Sequence, residues 1–167
     1  GVDIVIHSAT KWIGGHGVAV GGVIVDGGTF DWGSSNKHPT LTTPYEPFHG
    51  INFWEEFGPS ALSMKIRAES MRDFGPAMSP HSAFLLLQGI ETLALRMNQH
   101  VKNAIKLSKW LLEQSPVMWV NHPDLPENPT YEIAKKLFPN GAGSMLCFRV
   151  KGGREGGAAF INGVKLS

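Results

Sequence analysis

Val2-Asp3-Ile4-Val5-Ile6-His7-Ser8-Ala9-Thr10-Lys11-Trp12-Ile13-Gly14-Gly15-His16-Gly17 is the stretch from which the rest of the chain can be read. A near-continuous apolar run opens it and predicts a strand buried on both faces. Two hydroxyls, Ser8 and Thr10, and one amine, Lys11, stand at its carboxyl end, and glycines loosen the backbone beyond. Enclosure by Trp12 and Ile13 predicts a desolvated Lys11, a setting that favours the neutral amine needed for Schiff-base chemistry. Residue types alone also fit a solvated surface lysine, with Ser8 and Thr10 capping a turn.

Composition narrows the classes. At 167 residues and 18.2 kDa, the chain has room for one domain with a real core or for parts of two. Apolar residues make up 42% and charged residues 17%, which describes a globular chain. A net charge of +1 offers no electrostatic footprint for nucleic acid or an anionic membrane, so neither is expected as a partner. No apolar run reaches the roughly 20 residues of a membrane helix. One cysteine, Cys147, excludes a disulfide framework within the chain, fits a reducing, cytoplasmic compartment, and reads as a buried strand residue. Gly1-Val2-Asp3-Ile4 is no signal peptide and reads as the interior of a longer protein. Phe160 to Ser167 stops inside an apolar period with no helix terminator.

Further along, Gly21 to Asp26 predicts a second strand, and the dozen residues separating it from the first leave no room for a crossover helix, so the pair should be antiparallel. Residues 29–58 are too long for a plain connector and read as an insertion whose aromatics, Tyr45, Phe48, Phe53, Trp54 and Phe57, must pack on something, a neighbouring subunit included. Helical periodicity from Ser60 places Leu62, Ile66, Ser70 and Phe74 on one face, and Gly75-Pro76 stops it. Ser79-Pro80 predicts an N-cap with proline at the first helical position. The pattern from Leu85 to Leu112 exceeds a usual helix, so a break is expected, with Gly89 a candidate kink. Val117–Val120 and Ser144–Val150 predict strands, Tyr131–Phe138 a helix, and the residues after Gly152-Gly153 another, the α/β start of a second, smaller domain.

Rival chemistries fail on context. Gly15-His16-Gly17 through Gly21 matches a variant dinucleotide fingerprint, but β-branched residues follow where a helix must open. No phosphate-loop motif and no GxSxG elbow is present. The seven histidines show no metal-ligand spacing, so no metal site is assigned. His7 reads as a core or interface histidine, and His16 as either a site residue or one bonded to backbone.

Ser8-Ala9-Thr10-Lys11-Trp12-Ile13-Gly14-Gly15-His16-Gly17 closely resembles the cofactor-lysine signature of the Cys/Met-metabolism pyridoxal phosphate (PLP) enzymes. Met78-Ser79-Pro80-His81 with Gly89 to Met97, His100, Asn103-Ala104 and Gly143 to Phe148 resemble the family's interdomain helix and a strand of its C-terminal domain. Phe30 to Gly33 and Phe48 to Pro59 look like the O-acetylhomoserine sulfhydrylase branch, since the cystathionine enzymes are shorter there.

The resemblance implies a partial α/β fold of PLP fold-type I: residues 1–97 as the end of the large cofactor domain, with its insertion near 29–58, and 98–167 as interdomain helix and start of the small domain. It implies a transferase replacing the acetoxy group of O-acetylhomoserine with sulfide, within a homotetramer built as a dimer of dimers. Lys11 would be the Schiff-base lysine, Ser8 and Thr10 phosphate contacts, and His16 has no assigned role. Related cystathionine or methionine γ-lyases or synthases, and a non-catalytic remnant, are the alternatives. The family's ring-stacking tyrosine, ring-nitrogen aspartate, glycine-rich phosphate turn and carboxylate-gripping arginine fall outside this sequence, so the chain alone is expected to be inactive.

Overall fold

Strand β1 (Ile4–Ser8) pairs antiparallel with β2 (Gly22–Asp26) in a register that runs from Ile4 opposite Asp26 to Ser8 opposite Gly22. This computed structural model describes residues 2–165. The β-branched runs extend as predicted, and the short connection enforces antiparallel pairing. Their expected burial on both faces is not found: Ile6 is 74% and Ile24 51% exposed. The reason is a lack of layers. Among the described residues the ribbon has two strands only, and the nearby apolar cluster of Ala9, Ala19 and Leu86 covers positions just past the strand ends, not their middles.

The chain divides into two compact units, Gly1–Glu91 and Thr92–Ser167. In the first, the segment after β2 winds into short helices, among them α1 (Pro39–Thr42) and α2 (Phe53–Phe57). Asn52 starts α2: its side-chain oxygen accepts from the amides of Trp54 at 3.2 Å and Glu55 at 3.3 Å, while its amide group donates to the Thr42 carbonyl at 3.0 Å. Phe53 is fully buried against Leu41 and Ala61, with Trp32, Tyr45, Phe48, Trp54 and Phe57 around it. The insertion's aromatics thus find their packing partners within the chain.

A helical run comes next, α3 (Ala61–Lys65), a π-helical turn (Ile66–Met71) and α4 (Arg72–Phe74), ending at left-handed Gly75 as predicted. The single predicted face does not survive. A π turn adds a residue and rotates the helix beyond it, leaving Phe74 87% exposed. Helix α5 (Pro80–Glu91) begins as expected, with the Ser79 hydroxyl accepting from the Ser82 amide at 3.1 Å. The break in the long pattern falls at Thr92, not at Gly89.

In the second unit, α6 (Leu93–Leu112) buries Val101, Ala104, Ser108 and Leu111 along one stripe. Strand β3 (Val117–Asn121) pairs antiparallel with β4 (Cys147–Val150), and α7 (Tyr131–Leu137) lies between them in sequence. β4 alternates as predicted, but its parity turns Cys147 and Arg149 outward and Phe148 and Val150 inward, so Cys147 is exposed, not buried. Helix α8 (Gly153–Gly163) terminates before the chain does, so the open-ended pattern expected from Phe160 onward is closed at Gly163; Leu166 and Ser167 lie outside the described residues.

Candidate functional site

β1 ends at Ser8, and the chain turns immediately. The Lys11 amide donates to the Ser8 carbonyl at 3.2 Å, Gly14 to Ala9 at 2.8 Å, and Gly15 to Lys11 at 2.7 Å. These nested bonds make a compact turn with Lys11 near its apex. Ala9 anchors it in the apolar cluster with Ala19 and Leu86 of α5. Gly15 and Gly17 take positive φ values, 76° and 64°, which only glycine adopts without strain, and they carry the backbone toward β2. The fingerprint-like glycines therefore lead into a strand, as their neighbours predicted.

Thr10 is tied to Gly21 three ways. Its amide and its hydroxyl both donate to the Gly21 carbonyl at 3.3 Å, and the Gly21 amide donates to the hydroxyl oxygen at 3.0 Å. One lone pair of Thr10 is thus filled by the shorter bond, and its single proton rests in a long one. The Ser8 hydroxyl is exposed and makes no side-chain hydrogen bond among the described residues. His16 donates from Nδ1 to the Gly14 carbonyl at 2.9 Å, since a carbonyl only accepts; this is the backbone-bonded alternative. His7 is exposed, not in a core.

Lys11 itself is exposed and Trp12 half open, so the desolvation expected of the lysine is absent from this chain. Its amine makes no ion pair among the described residues. The turn thus presents an accessible, unpaired amine with one free hydroxyl on the strand side and one hydroxyl held by Gly21.

Sequence reasoning missed two neighbours of this turn. Gly21 lies eleven residues from Thr10, and nothing local marks it as a partner. Gly89 of α5 packs directly on the turn, and its one sequence signal was a glycine inside an apolar helical pattern. A separate polar group lies in the same unit: buried Lys65 sits 3.1 Å from the Tyr45 ring centre, and its ammonium is 3.0 Å from Glu69 without forming a directed hydrogen bond. Tyr45 donates its hydroxyl to Glu69 at 3.1 Å. The nearby Lys65 ammonium and then the Tyr45 hydrogen bond hold the Glu69 carboxyl below its ordinary range, and burial followed by the Glu69 contact pushes Tyr45 up. This network joins the insertion to the helical run.

Residues 1–167 match the family model described as Cys/Met metabolism PLP-dependent enzyme. The chain belongs to this family. Its α/β architecture is accordingly that of the fold-type I PLP enzymes, in part. The chain is 46% identical to the homocysteine synthase of Schizosaccharomyces pombe over 168 residues, which is 100% of this chain and 39% of that protein. It is 45% identical to O-acetyl-L-homoserine sulfhydrylase 1 of Thermus thermophilus over 166 residues, 99% of this chain and 39% of that one. Among solved structures, a Campylobacter jejuni protein holding N'-pyridoxyl-lysine-5'-monophosphate matches with a TM-score of 0.75 at 32% identity, covering 90% of this chain and 38% of its own. The O-acetylhomoserine sulfhydrylase of Wolinella succinogenes matches with a TM-score of 0.67 at 43% identity, covering 90% and 39%. The chain therefore spans about two fifths of the length of these PLP-dependent relatives.

Proposed function

We propose that Lys11 is the lysine that holds PLP, and that the protein to which this chain contributes exchanges the acetoxy group of O-acetylhomoserine for sulfide. In that reaction a Cγ–S bond forms and the Cγ–O bond breaks. Acetate leaves with the bonding pair, and homocysteine is released. The observation that carries the reading is the unpaired Lys11 amine on a clamped turn at the end of β1, in a chain 45–46% identical to sulfhydrylase and homocysteine synthase relatives. A γ-lyase is the weaker reading, since the matched cystathionine γ-lyase is 31% identical.

The donor set suits the cofactor. PLP when bound supplies an electron sink that makes Cα protons acidic and lets a γ substituent depart. Lys11 supplies the primary amine for attachment and, once displaced, a group that takes and returns protons at Nζ. Ser8 supplies a hydroxyl free to donate to a phosphate oxygen. Thr10 supplies a second: the Gly21 amide occupies an oxygen lone pair, so the hydroxyl acts as donor, and a phosphate dianion competes well with a neutral carbonyl held at 3.3 Å. The desolvation absent from this chain has to come from whatever covers Lys11 in the working protein.

We place the large cofactor-domain portion in the first unit and the start of the small domain in the second. A cytoplasmic homo-oligomer acting on an amino acid and sulfide completes the reading. Borohydride reduction of the protein in its full natural length in the presence of PLP, followed by peptide mass spectrometry, tests the lysine. The expected result is a phosphopyridoxyl mass on Lys11 that Lys11→Ala abolishes; labelling spread evenly over surface lysines refutes it. Supplying O-acetylhomoserine and sulfide to the protein in its full natural length should yield homocysteine, whereas ammonia and an oxoacid formed without sulfide mark the lyase.

A further inference from the structure

We propose that Gly89 is a positioning residue for Lys11, setting the height of the lysine turn by the absence of a side chain. This rests on the reading of Lys11 as the PLP lysine and goes beyond it. Gly89 lies inside α5 and is buried. A glycine inside a helix is less favourable than an alanine, so its place there calls for a packing reason.

The reason is backbone against backbone. A Cβ at position 89 would stand 2.6 Å from the Gly14 carbonyl carbon and 2.7 Å from the Ile13 oxygen, with the Gly14 oxygen closer still. None of these is the end of a flexible side chain; all belong to the turn that follows Lys11. Carbon atoms settle at roughly 3.5–4.0 Å, so alanine would drive α5 and the turn apart by about 1 Å. Gly14 answers from the other side, since a Cβ there would meet Leu86 Cδ2 at 2.8 Å, on the same face of α5 one turn earlier. Glycine thus faces glycine, and the helix sits on the lysine turn at a separation only hydrogen atoms allow.

The turn has little freedom to absorb the displacement locally. The Gly14 amide is bonded to Ala9 and its carbonyl to His16, Gly15 is bonded to the Lys11 carbonyl, and Thr10 is clamped to Gly21. A push at Gly14 is therefore passed along this ring of bonds to the Lys11 backbone. Misplacing a reacting group by 1 Å costs on the order of 10²-fold in rate.

The test, run on the protein in its full natural length, compares wild type, Gly89→Ala and Leu111→Ala, the last removing a buried side chain in the other unit. Each is incubated with PLP, trapped with borohydride over time, and read for the Lys11 label, with circular dichroism reporting the folded fraction. Expected is a loss on the order of 10²-fold in Lys11 labelling rate for folded Gly89→Ala, and little change for Leu111→Ala despite its lower melting point. Wild-type labelling speed in folded Gly89→Ala overturns the positioning role alone. Absence of Lys11 labelling in the wild type overturns the PLP reading and this proposal with it. If Gly89→Ala does not fold, amide exchange in the wild type decides: Gly14 and Gly15 should be protected to the level of α5, and exchange at free-peptide rates overturns the proposal.

Discussion

Phe53→Ala should melt the insertion core, and the size of the loss is set by the surroundings of the ring. Phe53 is 0% exposed, and its ring centre lies 6.0 Å from Tyr45, 6.0 Å from Phe48 and 5.9 Å from Phe57. Leu41 and Ala61, also buried, close the cluster. Truncation removes the transfer energy of the ring and leaves a cavity that these neighbours fill only in part, together about 3–5 kcal/mol. That is a large share of the roughly 5–15 kcal/mol that holds a typical domain. Phe53→Leu keeps most of the volume and should cost about 1–1.5 kcal/mol. Phe74→Ala is the control, because the same chemistry at an 87% exposed site should stay within about 0.5 kcal/mol. Denaturant unfolding followed by near-ultraviolet circular dichroism, which reports aromatic packing, measures all three. A Phe53→Ala loss below about 1 kcal/mol, or an equal loss for Phe74→Ala, would refute the assignment of Phe53 as the insertion's hub.

The Glu69 and Tyr45 contacts predict pH dependence at both ends. Glu69 is held below its ordinary range in the fold, so its contribution is present above pH of about 4–5 and disappears as acid passes its lowered value. Tyr45 is pushed up, so its contribution is present below its ordinary value of about 10 and disappears as alkali passes its raised value. In unfolding titrations Glu69→Gln should flatten the acid limb and Tyr45→Phe the alkaline limb; unaltered limbs would count against the network. In the second unit, fully buried His122 accepts from the Asp124 amide at 3.1 Å through Nδ1, which leaves Nε2–H to donate to the Gly143 carbonyl at 3.3 Å. His122→Leu strands both groups and should cost about 1–3 kcal/mol by thermal unfolding, with Glu127→Ala, an exposed site, as the comparison.

Much of the candidate site was legible locally. The strand, the two hydroxyls, the lysine and the glycines stand within sixteen consecutive residues, and a turn after a strand is a short-range structure. The Ser79 cap, the Gly75 stop and the alternation of β4 were legible for the same reason: each depends on neighbours a few residues away. Periodicity did less well where the helix itself departed from its period. The π turn at Ile66–Met71 moved Phe74 off the expected face, and the break at Thr92 replaced the one considered at Gly89.

By itself, then, the sequence determined which elements form and in what order, because backbone sterics, capping and turn chemistry act over a few residues. Only the tertiary structure decided what lies against what. An apolar strand says that cover is wanted but not whether it is there, and β1 and β2 stand largely open. The same holds for Lys11, whose place at a strand end was local information and whose exposure was not. Gly21 and Gly89 reach the lysine turn across eleven residues to Thr10 and seventy-five to Gly14, one by hydrogen bonds and one by having no side chain. Contacts of that kind depend on where distant segments meet in space, and no local pattern of residues records it.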